Sequence, residues 1–551
     1  MPLPPLSAPG VYVTELPGGS RTLTGVSTSV TAFVGRAYRG AVEEPVLITS
    51  YSQFQQEFGG LWRDSALGYA VRDFYLNGGG TAVVVRLVKD AARAELKLGD
   101  DLTLVTTTPG SWGNSLSVEV KHPSAGEARE TTGAGAGGDV SALFDLEISE
   151  LGDDGLPTLL ETFHSLTLAD GPRKADTVLA GSRLLRVKQK QPPTPPTPPE
   201  PPAPPPGGGE PGGPAGPSNE PPAATEANRP PAGKYTVKTG KAGDDGKDLT
   251  PAEYDDGKTF DAGNKGLYAL NKADIFNILC LPPSAPGGDV TDALWTTAAN
   301  LCHRRRAFLI VDPPAAQTAS GVASWVGQLG ITGPRARNAA LYFPRITSPD
   351  LLRGGAVGTF VACGAVAGIM ARTDSSRGVW KAPAGVDAGV VGASGLAETI
   401  TDRESGELNP KGVNCLRTFP QMGSVLWGAR TLRGADVLAD EYKYVPVRRL
   451  ALFLEESLYR GTQWVVFEPN DEALWSQIRT SLGSFMQDLF RQGAFQGRTP
   501  GEAYFVACDA ETTTQYDIDR GIVNIVVGFA PLKPTEFVVI AIQQKTAAAA
   551  V

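Results

Sequence analysis

The sequence predicts a multidomain protein of mixed α/β and α+β class. It has a split core with mixed sheets, an α/β middle domain, a β-rich outer insertion domain and extended N- and C-terminal strand arms. Three observations predict this. At 551 residues the chain has room for three or four domains with sizeable cores. Apolar, strand-length runs alternate with amphipathic helices on either side of one proline- and glycine-rich tract. Short β-prone runs stand alone near both termini.

In chain order, Gly10–Glu15 (GVYVTE) is a β-prone run between Pro9 and Pro17. An isolated strand cannot satisfy its own backbone groups, so it pairs either with its own sheet or with another subunit's edge; the pattern by itself favours its own domain. Ser65–Asn77 puts Leu67, Val71, Phe74 and Tyr75 on one helical face, Gly78 follows as the stop, and Thr81–Leu87 (TAVVVRL) reads as a buried strand. From Trp112 to about Val187 the chain is β-rich (LSVEV, LFDLEI, RLLRV), broken by GAGAGGD and GDDG turns.

Beyond the tract, Ile275–Leu281, Arg306–Pro314 and Ala339–Ile346 read as buried strands, and Asp289–Arg304 as a helix capped by Asp289 or Thr291. That alternation predicts a mainly parallel sheet with right-handed crossovers. Further on, Pro446 opens a helix with the stripe Leu450, Phe453, Leu454 and Leu458, closed by Gly461. TQWVVFEPND reads as a strand and turn. Glu472–Phe490 is a helix carrying Leu474, Ile478, Leu482, Phe485 and Leu489, and strands follow at Tyr504–Cys508, Gly521–Gly528 and Glu536–Ile542.

The 65 glycines and 45 prolines are unevenly spread. Between Gln191 and Lys234 there is no large apolar residue, and 18 of the prolines lie there. Such a segment has no apolar surface to bury against the entropy of ordering, so a solvated, disordered insertion is expected, ahead of an SH3-type ligand. A second segment, Gly354–Ala371, runs eighteen residues without a charge but holds five glycines, which fits an element packed in a core better than a membrane span. The N-terminus, MPLPPLSAPG, has neither the basic start nor the apolar run of a signal peptide.

A net charge of −9 argues against a general nucleic-acid binder. The five cysteines (Cys280, Cys302, Cys363, Cys415, Cys508) include no CxxC pair and read as buried thiols in a reducing compartment. GxSxG, HExxH and GxGxxG are absent. Gly257-Lys258-Thr259 ends like a P-loop, but position 252 is alanine where the loop needs glycine. Asp153-Asp154-Gly155 and Asp244-Asp245-Gly246 lack the later glutamate of a calcium loop and read as turns. His122, His164 and His303 have no neighbours that would make a triad. No catalytic residue, metal site or cofactor is expected.

The motifs together resemble contractile tail sheath proteins, found in phages with contractile tails and in related injection systems. APGVYVTE matches the family's opening, and TAFVGRAYRGAVEEPVLITSYSQFQQEFGG (Thr31–Gly60), YAVRDFYLNGGGTAVVVRL and PGSWGNSLSV continue it in order. GLYALNKADIFNILCLPP and RRRAFLIVDPP match the middle domain, and AGIMARTDSSRGVWKAPAG (Ala367–Gly385) is the most specific match. RRLALFLEESLYRGTQWVVFEPND and GIVNIVVGFAPLKPTEFVV complete it. Only about Gly126 to Gly263 is unmatched.

The resemblance implies a mechanical, non-enzymatic subunit that forms stacked hexameric rings around an inner tube. It contracts to drive the tube through a target envelope without ATP at firing. It implies baseplate and terminal cap proteins as further partners, assembly in the cytoplasm, and no nucleic acid or membrane insertion. By the same resemblance the terminal arms donate strands to adjacent subunits, through Val11, Tyr12, Val13 and Thr14 at one end and Phe537, Val538, Val539 and Ile540 at the other, with Pro17–Gly25 as hinge. The C-terminal domain would face the tube, with Gln477, Arg479, Gln487 and Arg491 as contacts. The expected layout is an N-terminal arm (1–25), a first core segment (26–110), an outer domain (111–265) holding the tract 191–233, a middle domain (266–412), an assembly domain (413–530) and a C-terminal arm (531–551). The rivals are a hydrolase on the middle domain and a surface module using the proline-rich tract.

Overall fold

The computed structural model describes residues 23–100, 102–124, 141–152, 154–188 and 229–538. The first strand, β1 (Thr31–Gly35), is buried throughout, and β2 (Pro45–Ile48) follows. Helix α1 (Tyr51–Phe58) starts where the Ser50 hydroxyl accepts the Gln53 N–H and stops at Gly59, φ +87°. Helix α2 (Leu67–Leu76) carries the expected apolar face and leads into β3 (Ala82–Arg86).

The next segment makes two antiparallel sheets from β4 (Glu95–Leu98), β5 (Leu102–Thr106), β6 (Leu116–Lys121), β7 (Phe144–Leu151), β8 (Pro157–Leu166), β9 (Leu185–Val187) and β10 (Gly233–Thr236). Their orders are β4-β5-β9 and β10-β6-β7-β8. Alternate residues such as Leu102, Leu104, Leu146 and Ile148 turn inward, close on Trp112 and form a separate core. The outer tract, expected to reach Gly233, ends sooner. Arg229 donates to the Leu143 carbonyl (3.1 Å), and Gly233 opens β10 opposite Val120.

The middle of the chain supplies β11 (Ile278–Cys280), α3 (Asp292–Arg304, following Thr291), β12 (Phe308–Val311), β13 (Ala339–Phe343), β14 (Ile346–Asp350) and β15 (Ala356–Phe360). Then come α4 (Cys363–Arg377), β16 (Gly395–Leu396), β17 (Val413–Phe419) and β18 (Gly423–Leu426). Together with β1 to β3 these build one eight-stranded sheet, β18-β17-β13-β12-β11-β1-β3-β2, while β14 to β16 form a small sheet of their own. The six inner strands run parallel and the two edges antiparallel. Parallel strands covered on both faces are continuously apolar, which is why FLIV and AALYF show no alternation. Phe33, Val84 and Ile310 face one core, containing α2 and α4; Ala32, Val85 and Val311 face the other, containing α3.

The charge-free segment Gly354–Ala371 becomes β15 and the first turns of α4. Its glycines have a purpose: a methyl group at Gly364 would collide with the Ala70 carbonyl, and one at Gly368 with the Phe74 carbonyl, so α4 and α2 touch backbone to backbone. No helix among the described residues is long and apolar enough to cross a membrane.

The C-terminal region contains α5 (Val445–Gly461, Pro446 in its first turn), α6 (Glu472–Arg491), and the hairpin partners β19 (Tyr504–Ala507) and β20 (Val526–Phe529). Helix α5 belongs to two cores: Val445 and Leu452 pack with the sheet, Leu450 and Leu454 with α6.

Two strand expectations fail here. TQWVVFEPND forms a single 3-10 turn, Gln463–Val465, with no ladder partner among the described residues, and Phe467 is left fully exposed at φ +70°. The strand expected from Gly521 starts only at Val526, since Gly521 (φ +70°) still belongs to a turn. Of the strand expected over Glu536–Ile542, residues 536–538 are described and sit in no ladder among the described residues, while 539–542 lie outside them.

Candidate assembly surfaces

The motifs that imitate catalytic or binding sites are accounted for locally. The N–H groups that a P-loop would turn on a phosphate are taken: Asp256 accepts from Lys258, Thr259 and Phe260 (2.9, 2.7 and 3.0 Å), and these bonds, with the Thr259 hydroxyl foremost, hold its carboxyl far below the usual range. The Asp244 side chain accepts the Gly246 N–H (2.7 Å), and Asp245 accepts the Ser111 N–H (2.6 Å), tying that turn to the SWGN segment. All five cysteines are buried free thiols. Burial pushes the Cys302 thiol well up and Cys415 up to about 11, the opposite of an activated nucleophile. His164 bonds Asp145 (3.0 Å), His122 contacts the Pro230 carbonyl (2.9 Å), and His303 is exposed at the end of α3. No group of three metal-ligating side chains is gathered among the described residues.

The residues expected to face a tube lie on α6. Of the tube-facing candidates on α6, Gln477 and Arg491 are exposed, and Arg491 is only loosely paired with Asp488 (3.8 Å). The other two are engaged within the subunit. Arg479 donates to Glu472 (2.5 Å) and to the Cys508 carbonyl, and the Gln487 side chain accepts the Tyr504 hydroxyl (2.9 Å).

Of the arm candidates, Val11, Tyr12, Val13 and Thr14, and likewise Val539 and Ile540, lie outside the described residues. Phe537 and Val538 are described and are exposed. What the structure does place is the stretch of chain beside each terminal segment, here termed its root. At the N-terminal root, Leu23 is buried in the α5–α6 core and the Val26 N–H donates to the Ser457 hydroxyl (3.1 Å). At the C-terminal root, Glu536 is gripped by Arg430, whose Nε and Nη2 donate to the two carboxylate oxygens (2.7 and 2.6 Å). The Arg430 side chain is 0% exposed and that of Glu536 15%. Arg430 also donates to Asp436 (3.0 Å) and to the carbonyls of Asn409 and Gly434, so its fork is fully used. Beside this root, residues 532–538 form one wall of a groove of about 1010 Å³ whose other walls include Trp380, Arg417 and Trp427. The β19–β20 pair ends close by, with Phe505 and Val526 exposed.

The Arg430–Glu536 pair is not legible in the sequence. The two residues are 106 apart, in segments with no periodicity, and one charge among 50 basic residues carries no signal.

Residues 257–432 match the phage tail sheath protein central domain and residues 439–545 the phage tail sheath C-terminal domain, which together span just over half the chain. The chain belongs to the phage tail sheath family. It is 26% identical over 176 residues to the tail sheath protein of Vibrio phage KVP40, a match covering 32% of this chain and 25% of that protein. It is 24% identical over 254 residues to a prophage major tail sheath protein of Pseudomonas aeruginosa, covering 46% of this chain and 61% of that one. The chain thus spans a quarter to three fifths of these relatives' lengths. In fold it resembles the sheath complex of an extracellular contractile injection system in its contracted state, with TM-score 0.56, 20% identity and 98% of both chains covered.

Proposed function

We propose that the chain is a structural sheath subunit. It polymerises with copies of itself as stacked hexameric rings around an inner tube. It contracts to drive that tube through a target envelope, with no ATP consumed at firing and no enzymatic step. Its other partners are the baseplate and a terminal cap. It assembles in the cytoplasm as part of a phage tail or tail-like injection particle. The arms, residues 1–25 and 531–551, join neighbouring copies. Residues 26–110 with 266–412 form the body, 111–265 project outward and 413–530 face the tube.

One observation carries this reading most. The chain is anchored next to each terminal segment, Leu23 and Val26 on α5 and Glu536 on Arg430 beside an open groove. Backbone ladders between subunits suit a lattice that must stay connected while its subunits rotate. The test is sedimentation of the expressed full chain beside a chain lacking residues 1–19. The full chain should sediment as large polymers and the truncated chain as folded, soluble subunits. Normal polymers from the truncated chain would refute strand donation, and a monodisperse full-length monomer with hydrolase turnover would refute the whole assignment.

A further inference from the structure

We propose that α5 is a strut that joins the roots of the two terminal arms, with Arg430 as the clamp fixing the C-terminal arm to it. This rests on the reading of the terminal segments as connections between copies, and it says how one connection is coupled to the other within a subunit.

The N-terminal root runs along one face of α5. Arg449 donates to the Thr28 carbonyl (3.0 Å), Gly25 lies against Phe453, the Ser457 hydroxyl accepts from Val26, and Leu23 sits on Gly461. The helix residues are 449, 453, 457 and 461. A spacing of four residues is one ridge of a helix, so the incoming chain follows a single groove over four successive turns. At Gly461 any side chain would collide with Leu23, so this glycine is a seat for the arm root as well as the helix stop.

The C-terminal root meets the other end of the same helix. Tyr444 is the residue that caps α5, and its hydroxyl lies 3.3 Å from the Glu536 carboxylate that Arg430 holds. Arg430 is itself laddered to the opening of α5: Thr431 N–H donates to the Lys443 carbonyl (2.9 Å) and Val445 N–H to the Ala429 carbonyl (2.9 Å). Its backbone is locked from behind by Asn414 of β17, which both donates to the Arg430 carbonyl (2.7 Å) and accepts its N–H (2.6 Å). From Tyr444 to Gly461 the helix spans roughly 25 Å at 1.5 Å per residue.

A pull on one arm therefore reaches the other through the Arg430–Tyr444 bridge and the hydrogen-bonded helix that follows it. Helix α5 does not swing freely, since Val445 and Leu452 are set in the sheet-side core. The two roots act in series: the load path is as strong as its weaker root.

The experiment uses the full chain with Glu536→Gln, Leu23→Ala and the double variant. In the unassembled subunit, Glu536→Gln should speed cleavage within 532–538 by a broad-specificity protease at least tenfold and leave β11–β13 uncut; Glu536→Asp, which keeps the charge, should restore part of the resistance. It also serves if Glu536→Gln folds poorly. In assembled tubes, each single variant should lower the denaturant concentration at which tubes come apart, and the double variant should fall no lower than the weaker single. Unchanged cleavage within 532–538, or a double-variant loss equal to the sum of the two single losses, would overturn the strut. If a chain lacking residues 1–19 forms normal tubes, the arm reading itself fails and the strut falls with it; if that deletion abolishes tubes while the losses are additive, only the strut fails.

Discussion

Arg449 of α5 and Asp374 of α4 form a two-pronged ion pair, 2.9 and 2.6 Å, with each side chain 3% exposed. It bridges the helix shared with the C-terminal core to the helix that covers the parallel sheet. Removing the charge of one member leaves the other buried without its counter-ion. Asp374→Asn should therefore cost about 3–5 kcal/mol of unfolding free energy, read from the urea midpoint, whereas an apolar pair (Asp374→Leu with Arg449→Met) should recover most of that loss.

Two glycine-to-alanine changes in helices should have opposite signs. Gly364 of α4 has the Ala70 carbonyl where a methyl would go, so Gly364→Ala should force α2 and α4 apart and cost roughly 1–3 kcal/mol. Gly483, inside α6, has open space there, so Gly483→Ala should stabilise by about 0.4–1 kcal/mol by restricting the unfolded chain. Thermal midpoints of the two variants check both.

Asp312, just past β12, gives a pH dependence with a defined sign. Burial pushes its carboxyl above the usual range, against hydrogen bonds from Cys363 and the Ala362 N–H and the charge of Arg345. One oxygen accepts from Ala362 (2.9 Å) and the other has no partner. The folded state thus holds this proton more tightly than the unfolded state. The contribution is fully present below the ordinary 3.8 and is lost as pH rises towards the folded value. Asp312→Asn should remove that loss, about 1.4 kcal/mol for each unit of upward shift. Its stability advantage over wild type should be larger at pH 8 than at pH 4.5 in paired urea titrations.

The α6 face should separate contact from fold. Arg491 is exposed and loosely paired, so Arg491→Glu should leave the thermal midpoint unchanged and weaken co-sedimentation with the inner tube protein. Arg479 bonds Glu472 and the Cys508 carbonyl, so Arg479→Glu should lower the thermal midpoint as well.

Much of this architecture is legible in the sequence because it follows from local periodicity. The apolar runs at 278–280, 308–311 and 339–343 are buried parallel strands, and the stripe Leu450, Leu454 is the packed face of α5. WVVFE misleads because its composition favours a strand, while among the described residues it pairs with none. The arm roots are beyond reach for a different reason. Leu23 on Gly461 and Glu536 on Arg430 join segments that the sequence separates by hundreds and by a hundred residues, and neither contact leaves a periodic trace.

The central claim, that this chain builds a sheath, is tested most directly by electron microscopy of the purified full-length protein. The account predicts hollow tubes of stacked six-membered rings, each subunit joined to its neighbours through its terminal segments. Monodisperse monomers at high protein concentration, with no rings or tubes, would contradict it.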